Sequence, residues 1–134
     1  MRLAGLLKVE KEQLMKLNGV QLGAADAKKL ADFYTKALGE PKWAMPGDWY
    51  GWDIGSGHLF FGPHTEVKGK ASEPQRVMIS LESDDVVSTF DILIAAGGTE
   101  VTKPHNPSSE SKDFWQATVA DPEGNYLQLA SPME

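Results

Sequence analysis

Apolar positions recur along this chain with two periods, one of two residues and one near three and a half, in a repeated order. Val77, Ile79 and Leu81 are separated by Met78, Ser80 and Glu82, the alternation of a strand with one face on a core. A comparable run lies at residues 17–23. Each run is followed by a helical stripe. Leu30, Phe33, Tyr34, Ala37 and Leu38 fall at i, i+3, i+4 spacing, and so do Val86, Phe90, Leu93, Ile94 and Ala96. Asp26 suits the N-cap of the first helix, and Asp84 or Asp85 that of the second. Gly39, and Gly97 or Gly98, suit the left-handed position after a helix end. Three β-like stretches follow each helix, at residues 42–45, 49–54 and 58–61, then at 100–103, 114–120 and 125–130.

The order is therefore βαβββ twice. The helix ends repeat 59 positions apart (Asp26 to Asp85, Gly39 to Gly98), with Asp32 falling on Asp91 and Ala37 on Ala96. Matching the last turns, Gly57 to Gly124, gives an offset of 67, and the eight extra residues fit the Pro/Asn/Ser-rich stretch 104–112. The layout predicted is an extension over 1–16, a first module over 17–62, a linker over 63–75 and a second module over 76–132. In the extension, Leu3, Leu6, Leu7, Leu14 and Leu17 form a helical stripe that packs on the domain or a partner, or else Met15 is the natural start. The sequence leaves both open.

Composition narrows the function classes. With 41% hydrophobic and 24% charged residues, the 134-residue chain has the make-up of a soluble globular protein. No cysteine is present, so disulfides, thiolate metal sites and cysteine nucleophiles are excluded. A net charge of −6 without basic clusters argues against nucleic acid, and no apolar run is long enough for a membrane span. A cytoplasmic protein is the expectation. No Ser-His-Asp set or phosphate-cradling glycine loop appears.

The segment Val20-Gln-Leu-Gly-Ala-Ala-Asp-Ala-Lys-Lys-Leu-Ala-Asp-Phe-Tyr-Thr-Lys-Ala-Leu-Gly39 resembles the opening module of the glyoxalase/bleomycin resistance/extradiol dioxygenase (vicinal oxygen chelate) superfamily. Asp121-Pro-Glu-Gly-Asn-Tyr-Leu-Gln-Leu129 is similar to its closing hairpin. The resemblance implies an α+β fold: two tandem βαβββ modules forming a curved mixed sheet, with a central cleft and helices outside. It also implies a divalent metal held by side chains of the first and last strand of each module. The equivalent positions, placed with the offsets above, are Gly19, Phe61, Met78 and Gln128. Only Gln128 carries a nitrogen or oxygen donor for a hard or borderline metal, so the expectation is no metal and no cofactor. Exchanging Phe61 for His58 is the alignment error that would reopen this.

Strand alternation then puts Gly19, Gln21, Phe61, Met78, Ser80 and Gln128 on the cleft face, with Leu17, Leu59, Glu82, Tyr126 and Ala130 as neighbours. Trp49, Asp53, Phe114, Gln116 and Thr118 extend it. Of the four tryptophans, Trp49 adjoins a loop mouth, as Phe114 does, and these two are read as ligand contacts. Glu82 is the catalytic candidate, provided that burial raises its pKa. The function expected is metal-independent binding of a small molecule, of the aromatic drug or metabolite kind, by a homodimer. The alternative is a lyase- or isomerase-type enzyme using a cleft side chain or an unrecognised metal site.

Overall fold

The computed structural model describes residues 15–107 and 112–132, so the stripe expected in the N-terminal extension lies mostly outside the described residues. The element order is β1 (Gly19–Ala24), α1 (Ala27–Leu38), β2 (Trp43–Met45), β3 (Trp49–Ile54), β4 (Gly57–Pro63), β5 (Ile79–Glu82), α2 (Val86–Ala95), β6 (Thr99–His105), β7 (Gln116–Ala120) and β8 (Tyr126–Ala130). Two four-stranded sheets result, ordered β1-β4-β3-β2 and β5-β8-β7-β6. In each, the first strand runs parallel to the last and the other pairs are antiparallel. The tandem βαβββ architecture is thus present, and the expected strands differ from those observed mainly at their ends. Val77 lies ahead of β5 and is 73% exposed, and β6 runs on to include Pro104 and His105.

Both helices start where a short polar side chain can take an unpaired amide. Asp26 Oδ1 accepts from Lys29 N at 3.1 Å, and Asp85 Oδ1 from Ser88 N at 3.1 Å, which selects Asp85 over Asp84. The second helix ends at Gly97, whose φ of 116° few other residues adopt. The stripes then face one core. Leu30, Phe33 and Tyr34 of α1 join Val86, Phe90 and Leu93 of α2 with Trp52, Leu59 and Phe61 of the first sheet. Ala117, Val119, Leu127 and Leu129 complete it from the second.

The hairpin between β7 and β8 locks the modules together. Glu123 accepts from the amides of Ala25 and Asp26 at 2.8 and 2.9 Å, covering donors at the head of α1 that the helix cannot satisfy. Tyr34 Oη donates to Asp121 Oδ2 at 2.8 Å. Asp121 Oδ1 in turn accepts from the backbone of Glu123 and Asn125, which shapes the turn. The linker closes over the same hairpin through Ala71 N, which donates to Glu123 O.

Candidate functional site

Each sheet has one face on the helices and one turned away from them. Strand pairing assigns every residue of the first sheet to a face. Val20, Leu22, Tyr50, Trp52, Leu59 and Phe61 point to the core. Gln21, Gly51, Phe60 and Trp43 form a row on the open face, flanked by the row of Gly19, His58 and Asp53. In the second sheet Ser80, Gln128 and Thr118 lie in register on the open face, beside Glu82, Ala130 and Gln116.

This overturns two of the expected cleft positions. Phe61 is fully buried, stacked on Trp52 at 5.4 Å and against Tyr34 at 5.5 Å, and Leu59 is buried beside it. The cause is turn length. The β3–β4 hairpin closes at Ile54 and Gly57 with two residues between, whereas β7–β8 closes at Ala120 and Tyr126 with residues 121–125 between. Matching glycines across unequal turns shifts the register by one, and one residue exchanges the faces. Gln21 and Ser80 are equivalent by the helix offset, and their strand partners are Phe60 and Gln128. The first-module counterpart of Gln128 is therefore Phe60, at an offset of 68 (128 − 60).

The surface so formed is aromatic. Trp43 and Phe60 lie with ring centroids 5.3 Å apart and planes tilted by 31°. Both rings close over Gly51, where a Cβ would come within 2.6 Å of Phe60 and 2.8 Å of Trp43. Trp49 likewise lies across Gly62 and would collide with any side chain there. Trp43, Trp49 and Phe60 are half-buried, so each ring keeps part of its surface accessible. The pattern of glycine opposite ring is the sequence signal that identifies Trp43 and Phe60, once the register is known.

At one end of this platform stands a polar cluster. Lys42 Nζ donates to Asp53 Oδ2 at 2.7 Å and sits 4.9 Å from the Trp43 ring centre, and Asp53 Oδ1 faces His58 Nδ1. The Lys42 hydrogen bond, with smaller help from His58, holds the Asp53 carboxyl below the usual carboxylate range. At the seam between the modules, a cavity of about 210 Å³ brings Gly19 and His58 together with Ser80, Ile79 and Leu81. Gly19 does not supply open space, because a Cβ there would strike the backbone carbonyl of His58.

The other expected positions fare unevenly. Trp49, Gln21, Ser80 and Gln128 are on the open faces. Met78 is half-buried just ahead of β5, and Phe114 is half-buried ahead of β7; neither is brought against the aromatic platform. Glu82 is exposed, so the burial that would make it a general acid or base is missing. Trp52 belongs to the core, with Nε1 donating to Gly39 O at 2.9 Å.

Elsewhere, burial pushes the Asp121 carboxyl up despite hydrogen bonds from Asn125 and Tyr34. Burial, then the Asp121 charge, pushes the Tyr34 hydroxyl well above its usual range. Both are structural groups of the module clamp.

The residues present do not fit a divalent metal at the positions the fold suggests. With the register corrected these are Gly19, Phe60, Met78 and Gln128, which together offer one neutral amide. Among the described residues no group of three His, Asp or Glu could hold an ion. The pair of His58 with Asp53 already carries the Lys42 ammonium on its carboxylate.

The sequence model for the Glyoxalase-like domain matches residues 19–130. No curated protein matches the sequence. Among solved structures, a glyoxalase-related enzyme from Fulvimarina pelagi superposes with a TM-score of 0.71 at 20% identity, over 88% of either chain. A glyoxalase/bleomycin resistance protein/dioxygenase family enzyme from Burkholderia phytofirmans PsJN gives 0.69 at 20% identity, over 89% of this chain and 100% of that one. A glyoxalase/bleomycin resistance protein from Albidiferax ferrireducens T118 gives 0.69 at 17%, over 87% and 98%. At these identities the likeness speaks for the fold. Among the described residues no helix is long and apolar enough to cross a membrane.

Proposed function

Because this chain belongs to the glyoxalase-like domain family, we propose that it uses the family's fold as a metal-independent receptor for planar aromatic small molecules, held on the open face of the first sheet. The observation that carries this is the pair of glycines, Gly51 and Gly62, each overlaid by indole or phenyl rings with part of their surface accessible. Such rings offer apolar area and a face for stacking, the usual lining of a small-molecule site. Gln21, the strand partner of Phe60, supplies a polar group beside it, and the donor-poor quartet supports independence from metal. A homodimer in the cytoplasm is the assembly proposed with it, open to test by sedimentation.

Titrating the protein with a panel of planar aromatic compounds tests the reading. Tryptophan emission is expected to be quenched saturably in the wild type and at least tenfold less sensitively in Trp49→Ala and Trp43→Ala. Absence of saturable quenching across the panel would count against the proposal. The enzymatic alternative requires a metal or a buried acid; a lyase or isomerase activity abolished by chelation would revive it.

A further inference from the structure

The cluster at the end of the aromatic platform has a directionality that the platform alone does not explain. Among the described residues, Lys42 and His58 flank Asp53 from opposite sides, one on each carboxylate oxygen. The Nδ1 atom of His58 is sealed from solvent, and its approach to Asp53 Oδ1 is off the line of a hydrogen bond. The His58 side chain is nevertheless 33% exposed, and no group among the described residues hydrogen-bonds Nε2. A carboxylate beside one ring nitrogen draws the proton of a neutral imidazole there by its charge and leaves the other nitrogen as the acceptor. His58 therefore presents a bare, carboxylate-supported Nε2 away from Asp53.

Ring contacts place the His58 imidazole at the edge of the platform. The His58 ring is 5.3 Å from Trp43 at a steep angle and 5.8 Å from Phe60. It sits on the same face, two residues along β4 from Phe60, which is about 6.6 Å at strand rise. A flat ring stacked on Trp43 or Phe60 would lie beside the His58 ring. We infer that His58 is the polar anchor of this site, and that the ligand class it selects is a planar aromatic bearing an acidic hydroxyl, phenolic or enolic, whose O–H donates to Nε2. Asp53 is the positioning residue and Lys42 holds Asp53. An aryl carboxylate is disfavoured, because a neutral imidazole has no donor to offer from Nε2 and the Asp53 charge lies close behind it. This inference rests on the aromatic-platform reading and names the substrate class of that site.

Matched pairs separate the two. The probes are 2-naphthol with 2-methoxynaphthalene, and 7-hydroxycoumarin with 7-methoxycoumarin, measured by equilibrium dialysis against the full chain. The wild type is expected to prefer each hydroxyl compound by about tenfold, the worth of one good hydrogen bond. His58→Phe, which keeps a ring against Trp43, is expected to bring the two members of each pair to equal affinity. Trp49→Ala is expected to weaken both members alike. Nitrogen-15 NMR of the wild type is expected to show the His58 Nδ1–H tautomer, and Asp53→Asn is expected to shift it toward Nε2–H with loss of preference. Equal affinities within each pair, with sensitivity to Trp49 retained, overturn the anchor and leave the platform standing. No binding by any of the four probes removes both. An Nε2–H tautomer in the wild type overturns the anchor whether or not His58→Phe folds.

Discussion

Phe60 and Phe61 are chemically identical neighbours on β4, and the pleat sends them to opposite sides of the sheet. Phe61 meets Tyr34, Tyr50 and Trp52 in the core, whereas Phe60 joins Trp43 and His58 on the open face. Phe61→Ala should lower stability by about 3–5 kcal/mol, as read from denaturant unfolding. Phe60→Ala should cost well under half of that and weaken aromatic binding instead. Equal losses from the two substitutions would contradict the face assignment. A doublet of this kind hides strand parity from the sequence, since either phenylalanine satisfies an apolar position. His58, two residues earlier on the face of Phe60, carries the polar information that an apolar-only alternation misses.

At the scale of elements, helix ends depend on single side chains, and one of them is borrowed from the other module. Glu123 lies in the β7–β8 hairpin yet satisfies the first amides of the α1 turn, so Glu123→Ala should cost about 2–3 kcal/mol. It should also speed amide exchange at Ala25 and Asp26. Exchange unchanged at those two amides would show that the hairpin and helix are independent. Asp85 caps α2 locally, and its backbone hydrogen bond with Ser88, followed by the Ser88 hydroxyl, holds its carboxyl below the usual 3.8. A depressed folded pKa stabilises above the unfolded value and loses that contribution as pH falls through the folded one. Asp85→Ala should therefore lower the melting temperature at neutral pH and lower it less in acid, seen as a flatter acid limb in thermal melts. The caps were legible in the sequence as Asp residues ahead of apolar stripes. The reach of Glu123 to α1 was not, because it spans the whole chain between the two.

Over the whole molecule, the clamp of Tyr34 on Asp121 sets a limit at high pH. The Tyr34 hydroxyl is raised well above 10.0 by burial and then by the Asp121 charge. A raised folded pKa contributes stability below the unfolded value and loses it as pH rises through the folded one. The melting temperature should fall above about pH 10, the ordinary tyrosine value, and Tyr34→Phe should flatten that fall while lowering the neutral-pH midpoint. Chelator should leave both midpoint and ligand affinity unchanged; a drop in either would point to a bound metal. The sequence by itself determined the duplicated βαβββ order and the two helices with their caps. These follow from local periodicity, capping chemistry and residue identity, each of which acts within a few positions. Only the tertiary structure decided that Phe60 rather than Phe61 faces the open side, that rings of Trp43 and Trp49 lie over Gly51 and Gly62, and that Lys42, Asp53 and His58 meet. The physical reason is that facing is set by strand register, which depends on the lengths of turns and on pairing between segments far apart in the chain.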